Sequence, residues 1–180
     1  MMTTAFLDNY RFLARYNRWM NQRLYSACES LTDAQRKADQ GAFFKSMHHT
    51  LTHLVPADKM WLARFANQGV AFASLPPELL AVPAGSEYTS DLHPDWAALK
   101  HTRDALDAAI GQWLANMPAK FLTSTMRYAN TKGVKRAHPA WQAMTHFFNH
   151  QAHHRGQMTT LLTQAGVDVG VTDLIALVQT

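Results

Sequence analysis

Histidines are concentrated in a short stretch near the carboxyl end of the chain, at His146, His150, His153 and His154. In a helix, residues four positions apart lie one above the other on the same face, so His150 and His154 form a pair that can bind one metal ion. The other interpretation is a surface pair or a hydrogen-bonded pair without metal, and the spacing alone does not decide between them. The residue after His150 is Gln151 and not the glutamate of helical zinc proteases, so the stretch does not indicate a protease.

A second group of histidines, far away in the sequence, strengthens the metal hypothesis. It consists of His48, His49 and His53, and His49 and His53 are again four positions apart. If two helices that bear histidines pack face to face, the second can supply a third ligand. Three neutral imidazoles favour Zn²⁺, Ni²⁺ or a similar ion. Three protein ligands leave coordination positions for water or substrate, which is typical of catalytic and not of structural sites.

Four segments have the apolar periodicity of helices in a bundle. They span residues 4–30, 46–67, 94–117 and 139–165. Ser46 is the predicted N-cap of the second helix, Pro94 begins the third, and Gly166 closes the fourth. In residues 121–136, β-branched and aromatic residues flank an Asn/Gly turn, which predicts a short hairpin. The predicted fold is therefore all-α, a four-helix bundle with a short β-hairpin before the last long helix.

Two other segments connect or follow these helices. Residues 69–94 are longer than bundle connections usually are, so we expect this segment to run along the bundle or to cover one end of it. Residues 171–178 are apolar enough to form a short helix capped by Thr172 or to serve an interface.

Four residues stand out against the apolar pattern of the first two helices. Asn17 and Asp58 lie on buried seams and need polar partners, and for Asp58 an arginine is expected ahead of a catalytic role. Pro56 has no N–H and is expected to kink the second helix. Cys28 is the only cysteine, so it forms no intramolecular disulfide, and it is predicted to fill the core.

The composition indicates a globular protein. The chain has 180 residues, is 47% hydrophobic and 17% charged, and has a formal net charge of +4. These values predict a single domain over residues 1–180. Basic residues are scattered and form no stripe with aromatic residues, so no nucleic-acid partner is expected. No apolar run reaches the roughly 18 residues of a membrane span, so no membrane association is expected. The amino terminus lacks a basic-then-apolar leader, which predicts a cytoplasmic location.

Three stretches of the sequence occur in an order typical of one protein family. They are Tyr16-Asn17-Arg18-Trp19-Met20-Asn21; Gly41-Ala42-Phe43-Phe44 leading to Leu51-Thr52-His53-Leu54 with Asp58 and Trp61; and His146-Phe147-Phe148-Asn149-His150-Gln151-Ala152-His153-His154-Arg155-Gly156-Gln157. With the hairpin before the last helix, they extend over nearly the whole chain. On these motifs the chain resembles the DinB/YfiT-like family of metal-dependent four-helix-bundle proteins, and the His-His-Arg-Gly-Gln piece is specific in this setting.

The resemblance implies an up-down-down-up bundle, usually a homodimer, that holds a divalent ion with three histidines. Carried over by position, the ligands are His53, His150 and His154. His49, His146 and His153 then belong to the surroundings of the ion or to the packing. Family members with known activity include S-transferases and isomerases that use low-molecular-weight thiols. Pro56 departs from the family pattern, which has an ordinary helix former there.

Two functions are compatible with these features. The first is a metal-dependent S-transferase, or an enzyme with hydrolase-type activity, in which a zinc or nickel ion activates a small thiol or water. The alternative is a non-catalytic, stress-related dimeric scaffold or binding protein whose metal only braces the bundle. No catalytic residue beyond the ligands is identified, and the sequence does not decide whether Arg155 or Tyr128 reaches the site.

Overall fold

The computed structural model describes residues 2–68, 77–81 and 93–178, which form six α-helices and one hairpin. The helices are α1 (Met2–Glu29), α2 (Asp33–Lys37), α3 (Met47–Ala66), α4 (Pro77–Leu80), α5 (Trp96–Asn116) and α6 (Ala140–Gln164). The hairpin pairs β1 (Thr125–Ala129) with β2 (Lys135–Pro139), and 3₁₀ helices occupy Ala119–Thr123 and Leu174–Leu177. Most of the long connection predicted over residues 69–94 lies outside the described residues.

The contacts of α1 show that it runs parallel to α6. Near the start of both helices, the Tyr10 hydroxyl donates a hydrogen bond of 2.9 Å to the carbonyl of Trp141. Further along both, the Arg155 guanidinium donates to the side-chain oxygen of Asn17. Because these contacts occur in the same order along both helices, the two helices point in the same direction.

The third long helix, α5, runs antiparallel to α1. Arg11, near the start of α1, donates a 3.1 Å hydrogen bond to the carbonyl of Leu114 near the end of α5. Tyr25, near the end of α1, stacks on Trp96 at the start of α5, with ring centroids 5.2 Å apart.

The remaining long helix, α3, runs parallel to α5. His48 and Trp96 meet near the start of both helices, and Phe65 stacks on Trp113 near the end of both, with centroids 5.1 Å apart. Because α1 and α6 point one way and α3 and α5 the other, the topology is the up-down-down-up bundle that the resemblance implied.

Capping residues explain where α3 begins and where α6 ends. The Ser46 hydroxyl accepts a hydrogen bond from the His49 N–H, as predicted for the N-cap of α3. Gly166 follows α6 with φ of 76°, a left-handed conformation that glycine adopts without the steric cost of a side chain. Helix α3 is continuous through Pro56.

Two predicted helix starts are wrong. Pro94 does not begin the third helix, because the carboxylate of Asp95 accepts a hydrogen bond from the Ala98 N–H and caps α5 one residue after Pro94. The 3₁₀ helix of the tail has no side-chain cap, so Thr172 does not cap it. The carbonyl of Thr172 instead accepts a 2.7 Å hydrogen bond from the Tyr16 hydroxyl, which attaches the tail to α1.

The hairpin is present but begins later than predicted. Its expected first residues belong to the 3₁₀ helix over Ala119–Thr123, and β2 continues to the residue before α6. The turn follows the Asn/Gly pattern. The side-chain oxygen of Asn130 accepts hydrogen bonds from the N–H groups of Lys132 and Val134, and Gly133 has φ of 74°.

Apolar side chains from the four long helices form the core. Cys28 is fully buried there, which confirms that it fills the core. Within the described part of the chain, none of the helices combines the length and hydrophobicity needed to cross a lipid bilayer.

A layer of polar side chains crosses the middle of this core. It is formed by Asn17, Asn21, Asp58, Arg103, Asp107, Gln151 and Arg155, each at most 4% exposed. Arg103 lies 2.5 Å from the Asp58 carboxylate and 2.9 Å from that of Asp107. Burial alone lowers the pKa of Arg103, but the carboxylates of Asp107 and Asp58 raise it above its ordinary value. We refer to these seven residues as the polar layer.

Within the polar layer, amide side chains of α1 and α6 bind the two carboxylates. Asn17 and Asn21 of α1 each donate a 3.0 Å hydrogen bond to Asp107, and Gln151 of α6 donates one of 2.9 Å to Asp58. The predictions that Asn17 and Asp58 need buried polar partners, and that the partner of Asp58 is an arginine, are confirmed.

Replacing Asp58 by asparagine is expected to lower the free energy of unfolding by about 3 kcal/mol, because it removes one of the two carboxylates that balance the buried positive charge of Arg103. Urea unfolding followed by circular dichroism measures the loss. The control is Asp8→Asn, which breaks an exposed pair between Asp8 and Arg11 and should cost less than about 1 kcal/mol. Equal losses in the two variants would contradict the importance given to the buried pair.

Candidate metal centre

Three histidines from two helices converge near one end of the α3–α6 contact. One ring nitrogen from each of His53, His150 and His154 lies within 4.8 Å of the others. The Nε2 atom of His150 is 3.4 Å from that of His53 and 3.1 Å from that of His154. Nitrogens at such distances surround a common point, so the set has the geometry from which one cation could be bound.

Helix geometry explains why these three rings meet. His150 and His154 lie one turn apart on the face of α6 that packs against α3. His53 lies in the first half of α3, which runs antiparallel to α6 and places its ring opposite the pair. The structure thus brings together the three residues selected by the resemblance, and the spacing prediction for the pair on α6 is consistent with it.

A hydrogen bond fixes which nitrogen of His154 faces the other rings. Its Nδ1 lies 2.8 Å from the side-chain oxygen of Gln157, which can only accept, so Nδ1 carries the proton. The Nε2 lone pair therefore points towards His150. A hydrogen bond from the second ring nitrogen is the usual way in which proteins orient a metal-binding imidazole.

An aromatic ring holds two of the imidazoles in place. Phe44 stacks on His53 with ring centroids 4.1 Å apart, and it meets His154 in an edge-to-face arrangement with centroids 5.5 Å apart. Phe44 belongs to the loop between α2 and α3, where Gly41 has φ of 72° and Lys45, unusually for a residue with a side chain, has φ of 65°. This tight loop places the ring of Phe44 against two of the three imidazoles, those of His53 and His154.

The surroundings keep all three imidazoles neutral. Burial, and to a smaller extent the charge of neighbouring His154, lowers the pKa of His53 to about 4 and that of His150 to about 3. Burial also lowers the pKa of His154, although its hydrogen bond to Gln157 acts in the opposite direction. At neutral pH the nitrogens therefore offer lone pairs without competition from protons, and three neutral imidazoles suit a divalent ion such as Zn²⁺ or Ni²⁺.

The other histidines of the two clusters have different surroundings. His48 is buried, and its Nε2 lies 2.6 Å from the carbonyl of His93, on the side of α3 that faces α5. His49 packs beside His48, with ring centroids 6.1 Å apart. His153 is exposed and accepts a 3.3 Å hydrogen bond from the Gln157 amide. His146 is one turn before His150, and its ring lies tilted against that of Trp61, with centroids 4.9 Å apart.

A cavity of about 220 Å³ opens beside the three rings. Its wall includes His53, His150, His146, Trp61, Arg64 and the hairpin residue Asn130. Tyr128 packs against Trp61 and Arg64 of this wall but is not itself among the residues that line the cavity. Arg155 is directed instead to Asn17 in the polar layer. A larger cavity, of about 350 Å³, lies between α1 and α5 and contains no histidine, so we place the candidate site at the smaller one.

Replacing Gln157 by alanine is expected to weaken the binding of Zn²⁺ by about 10- to 100-fold, because the imidazole of His154 loses the acceptor that fixes its orientation. Competition with a chromophoric chelator measures the affinity. Gln142→Ala, on an exposed part of the same helix, serves as the control and should bind Zn²⁺ like the unmodified protein. Unchanged affinity in the Gln157 variant would show that this hydrogen bond does not orient a ligand.

Comparisons with known proteins agree with this architecture. The sequence model of the DinB family matches residues 1–179. Protein DinB of Bacillus subtilis (strain 168) is 22% identical over 162 residues, which are 89% of this chain and 88% of that protein. The crystal structure of a DinB-like protein from Bacillus cereus ATCC 10987 superimposes with a TM-score of 0.60 at 21% identity, over 92% of this chain and 94% of that chain. At this identity the structural likeness demonstrates a shared fold.

Proposed function

We propose that this chain, which belongs to the DinB family, binds one divalent metal ion through His53, His150 and His154. The observation that supports the proposal is the convergence of three imidazole nitrogens from α3 and α6 within 4.8 Å of one another. Zn²⁺ and Ni²⁺ are the ions favoured by three neutral nitrogen donors. Three protein ligands leave coordination positions for a reactant, as in catalytic sites.

We further propose that the site serves the transfer or conversion of a small thiol, as the family resemblance implies. A divalent ion there would supply a Lewis acid that lowers the pKa of a bound thiol or water. The protein contributes a partly apolar space, with Phe44 covering one side of the imidazoles and Trp61 forming part of the adjoining wall. The thiol must come from outside, because burial raises the pKa of Cys28 to about 12 and the residue lies in the core. The homodimer stays a prediction from the resemblance.

Protein purified without a histidine tag is expected to bind about one equivalent of Zn²⁺ or Ni²⁺. Replacing any one of His53, His150 or His154 by alanine should weaken the affinity more than about 100-fold, since losing a ligand costs more than losing its hydrogen-bond partner. Metal analysis after gel filtration gives the stoichiometry. His153→Ala is a matched control from the same stretch, and its exposed side chain leads us to expect full occupancy. If the control and the three variants retain metal equally, the proposed ligands are wrong.

One observation also favours the alternative, a scaffold in which the metal has only a structural role. The proposed ligands lie on two different helices, so an ion would cross-link α3 and α6. Any ligand that binds only the folded state stabilises that state. A loss of stability after chelation is therefore expected for both functions, and activity must separate them.

Removing the ion with a chelator is expected to slow thiol transfer to a generic electrophile, while the helical circular dichroism spectrum persists because the apolar core and the polar layer remain. The loss should be at least about tenfold, since an unassisted thiol is mostly protonated at neutral pH. Initial rates with 2-mercaptoethanol and with cysteine, before chelation and after metal is restored, provide the measurement. A metal-loaded protein that transfers no thiol, but melts far earlier after chelation, would favour the scaffold.

A further inference from the structure

We propose that the outer edge of β2 binds an extended acidic segment of another protein, which adds a third strand to the hairpin. The edge is formed by the backbone of Lys135 and Ala137, with Arg136 between them. All three residues are exposed. Binding at this edge needs no metal ion, so it is independent of the function proposed above for the three histidines.

The register of the hairpin shows which backbone groups point away from it. In an antiparallel ladder, residue pairs that exchange hydrogen bonds alternate with pairs that do not. Asn130 donates a 3.0 Å hydrogen bond across the hairpin to the carbonyl of Val134. The next pair, Ala129 and Lys135, therefore exchanges none. By the same alternation Ala137 also directs its N–H and C=O away from β1, so Lys135 and Ala137 form the outer edge of β2.

The two edges of the hairpin differ in whether they are closed. On the β1 edge, the side chain of Gln68 donates a 3.0 Å hydrogen bond to the carbonyl of Arg127 and accepts one of 2.8 Å from its N–H. This amide closes that edge in the way that a neighbouring strand would. On the β2 edge, none of the described residues bonds to the outward N–H and C=O groups of Lys135 and Ala137. Unpaired backbone groups on an exposed edge are what an extended peptide pairs with when it adds to a sheet.

The side chains around the open edge are positively charged. The hairpin and its turn contain Arg127, Lys132, Lys135 and Arg136. Within the part of the chain that the structure describes, these four side chains form no ion pair. The sequence has no aspartate or glutamate between Asp107 and Asp168, so the flanking segments supply no carboxylate. Because opposite charges on adjacent strands attract each other, a strand that bears carboxylates suits this edge.

The shape of the hairpin leaves room for the side chains of such a strand. A groove of about 420 Å³ lies on it, and its lining includes Lys135, Arg136 and Ala137 together with the small side chain of Ala129. Successive residues of a strand point to opposite faces, so Lys135 and Arg136 lie on opposite faces of the hairpin. Carboxylates at neighbouring positions of the added strand can therefore each meet one of these two cations.

A second copy of this chain suits the same edge less well. Two antiparallel copies of β2 centred on Arg136 or on Lys135 would set two like charges directly opposite each other, which destabilises a sheet. Centring on Ala137 would set Lys135 opposite Pro139, which has no N–H to donate. Lysine and proline on an edge strand discourage indiscriminate pairing, whereas a strand with carboxylates is attracted by the same positive charges.

A short peptide of alternating glutamate and valine, labelled with fluorescein, tests the proposal. Fluorescence anisotropy measures its binding to the unmodified protein. A second version, N-methylated at its central residues, keeps the charge but cannot donate backbone hydrogen bonds. We expect this version to bind at least about tenfold more weakly, because carbonyls of the edge lose their donors. A third version with lysine in place of glutamate is expected not to bind, since its charges are repelled.

Two proline variants locate the binding on the hairpin. Ala137→Pro removes an N–H from the open edge and is expected to weaken binding of the acidic peptide about tenfold. Ala129→Pro is the matched control, because the N–H of Ala129 points to the β1 edge, and it should bind like the unmodified protein. Amide hydrogen exchange gives a second measurement. The peptide should slow exchange at Lys135 and Ala137 of the unmodified protein and leave that of Ala129 unchanged.

Each other occupant of the edge gives a distinct result. If the N-methylated peptide binds as tightly as the parent, charge alone attracts the peptide and strand addition is rejected. A DNA duplex that binds more tightly than the acidic peptide would assign the positive charge to nucleic acid and also reject the proposal. If gel filtration shows a dimer that Ala137→Pro dissociates and Ala129→Pro does not, a second copy occupies the edge and the proposal is wrong. The peptide comparison in the unmodified protein decides the question even if a proline variant does not fold.

Discussion

Four formal charges buried at the middle of the bundle constrain how its helices can be arranged. Two carboxylates, Asp58 and Asp107, face two guanidinium groups, Arg103 and Arg155, in a layer almost without exposure to solvent. Burial lowers the pKa of Arg155 only to about 10, so the group stays positive at neutral pH. Because an unpaired charge in such a place costs several kcal/mol, arrangements of the helices that separate these groups are strongly disfavoured. A slip of one helical turn would move a side chain by about 5.4 Å and break the contacts.

The polar layer also fixes the positions along the bundle axis at which the candidate metal-binding side chains meet. Gln151 donates to Asp58, and its neighbour in the chain is His150. Asp58 lies five residues after His53 on α3. The hydrogen bond between α6 and α3 therefore fixes their relative heights directly beside the three imidazoles. Phe44 then packs against the rings of His53 and His154, and the hydrogen bond to Gln157 determines which nitrogen His154 presents.

Much of the fold could be predicted from the sequence, because apolar residues recur with helical spacing and capping residues mark several ends. The short helix α2 was missed, although Thr32 and Gln35 form a capping box whose spacing is visible in the sequence. The start of α5 was misplaced because proline and aspartate both suit the beginning of a helix, and only the structure shows that the carboxylate of Asp95 caps it.

The candidate site was predictable to a smaller extent. Spacing alone identified the pair on α6, but it could not choose among His48, His49 and His53 for the third ligand. That choice depends on which side of α3 faces α6, and the histidines at positions 48, 49 and 53 do not all lie on one side. The family resemblance supplied it. The contacts of Phe44 and Gln157, and the position of Arg64 beside the hairpin, arise from packing between separate elements, so no local sequence pattern predicts them.

The protein treats buried charge differently in its two polar regions. In the polar layer, carboxylates and guanidinium groups neutralise one another, so that region needs nothing from outside. In the cavity, the described lining includes the neutral imidazoles of His53 and His150, together with Trp61 and the amide of Asn130. The layer is closed and holds the helices together, whereas the cavity opens beside the candidate metal ligands. This difference separates a structural polar cluster from a binding site, and it is why we place the candidate site at the cavity and not within the core.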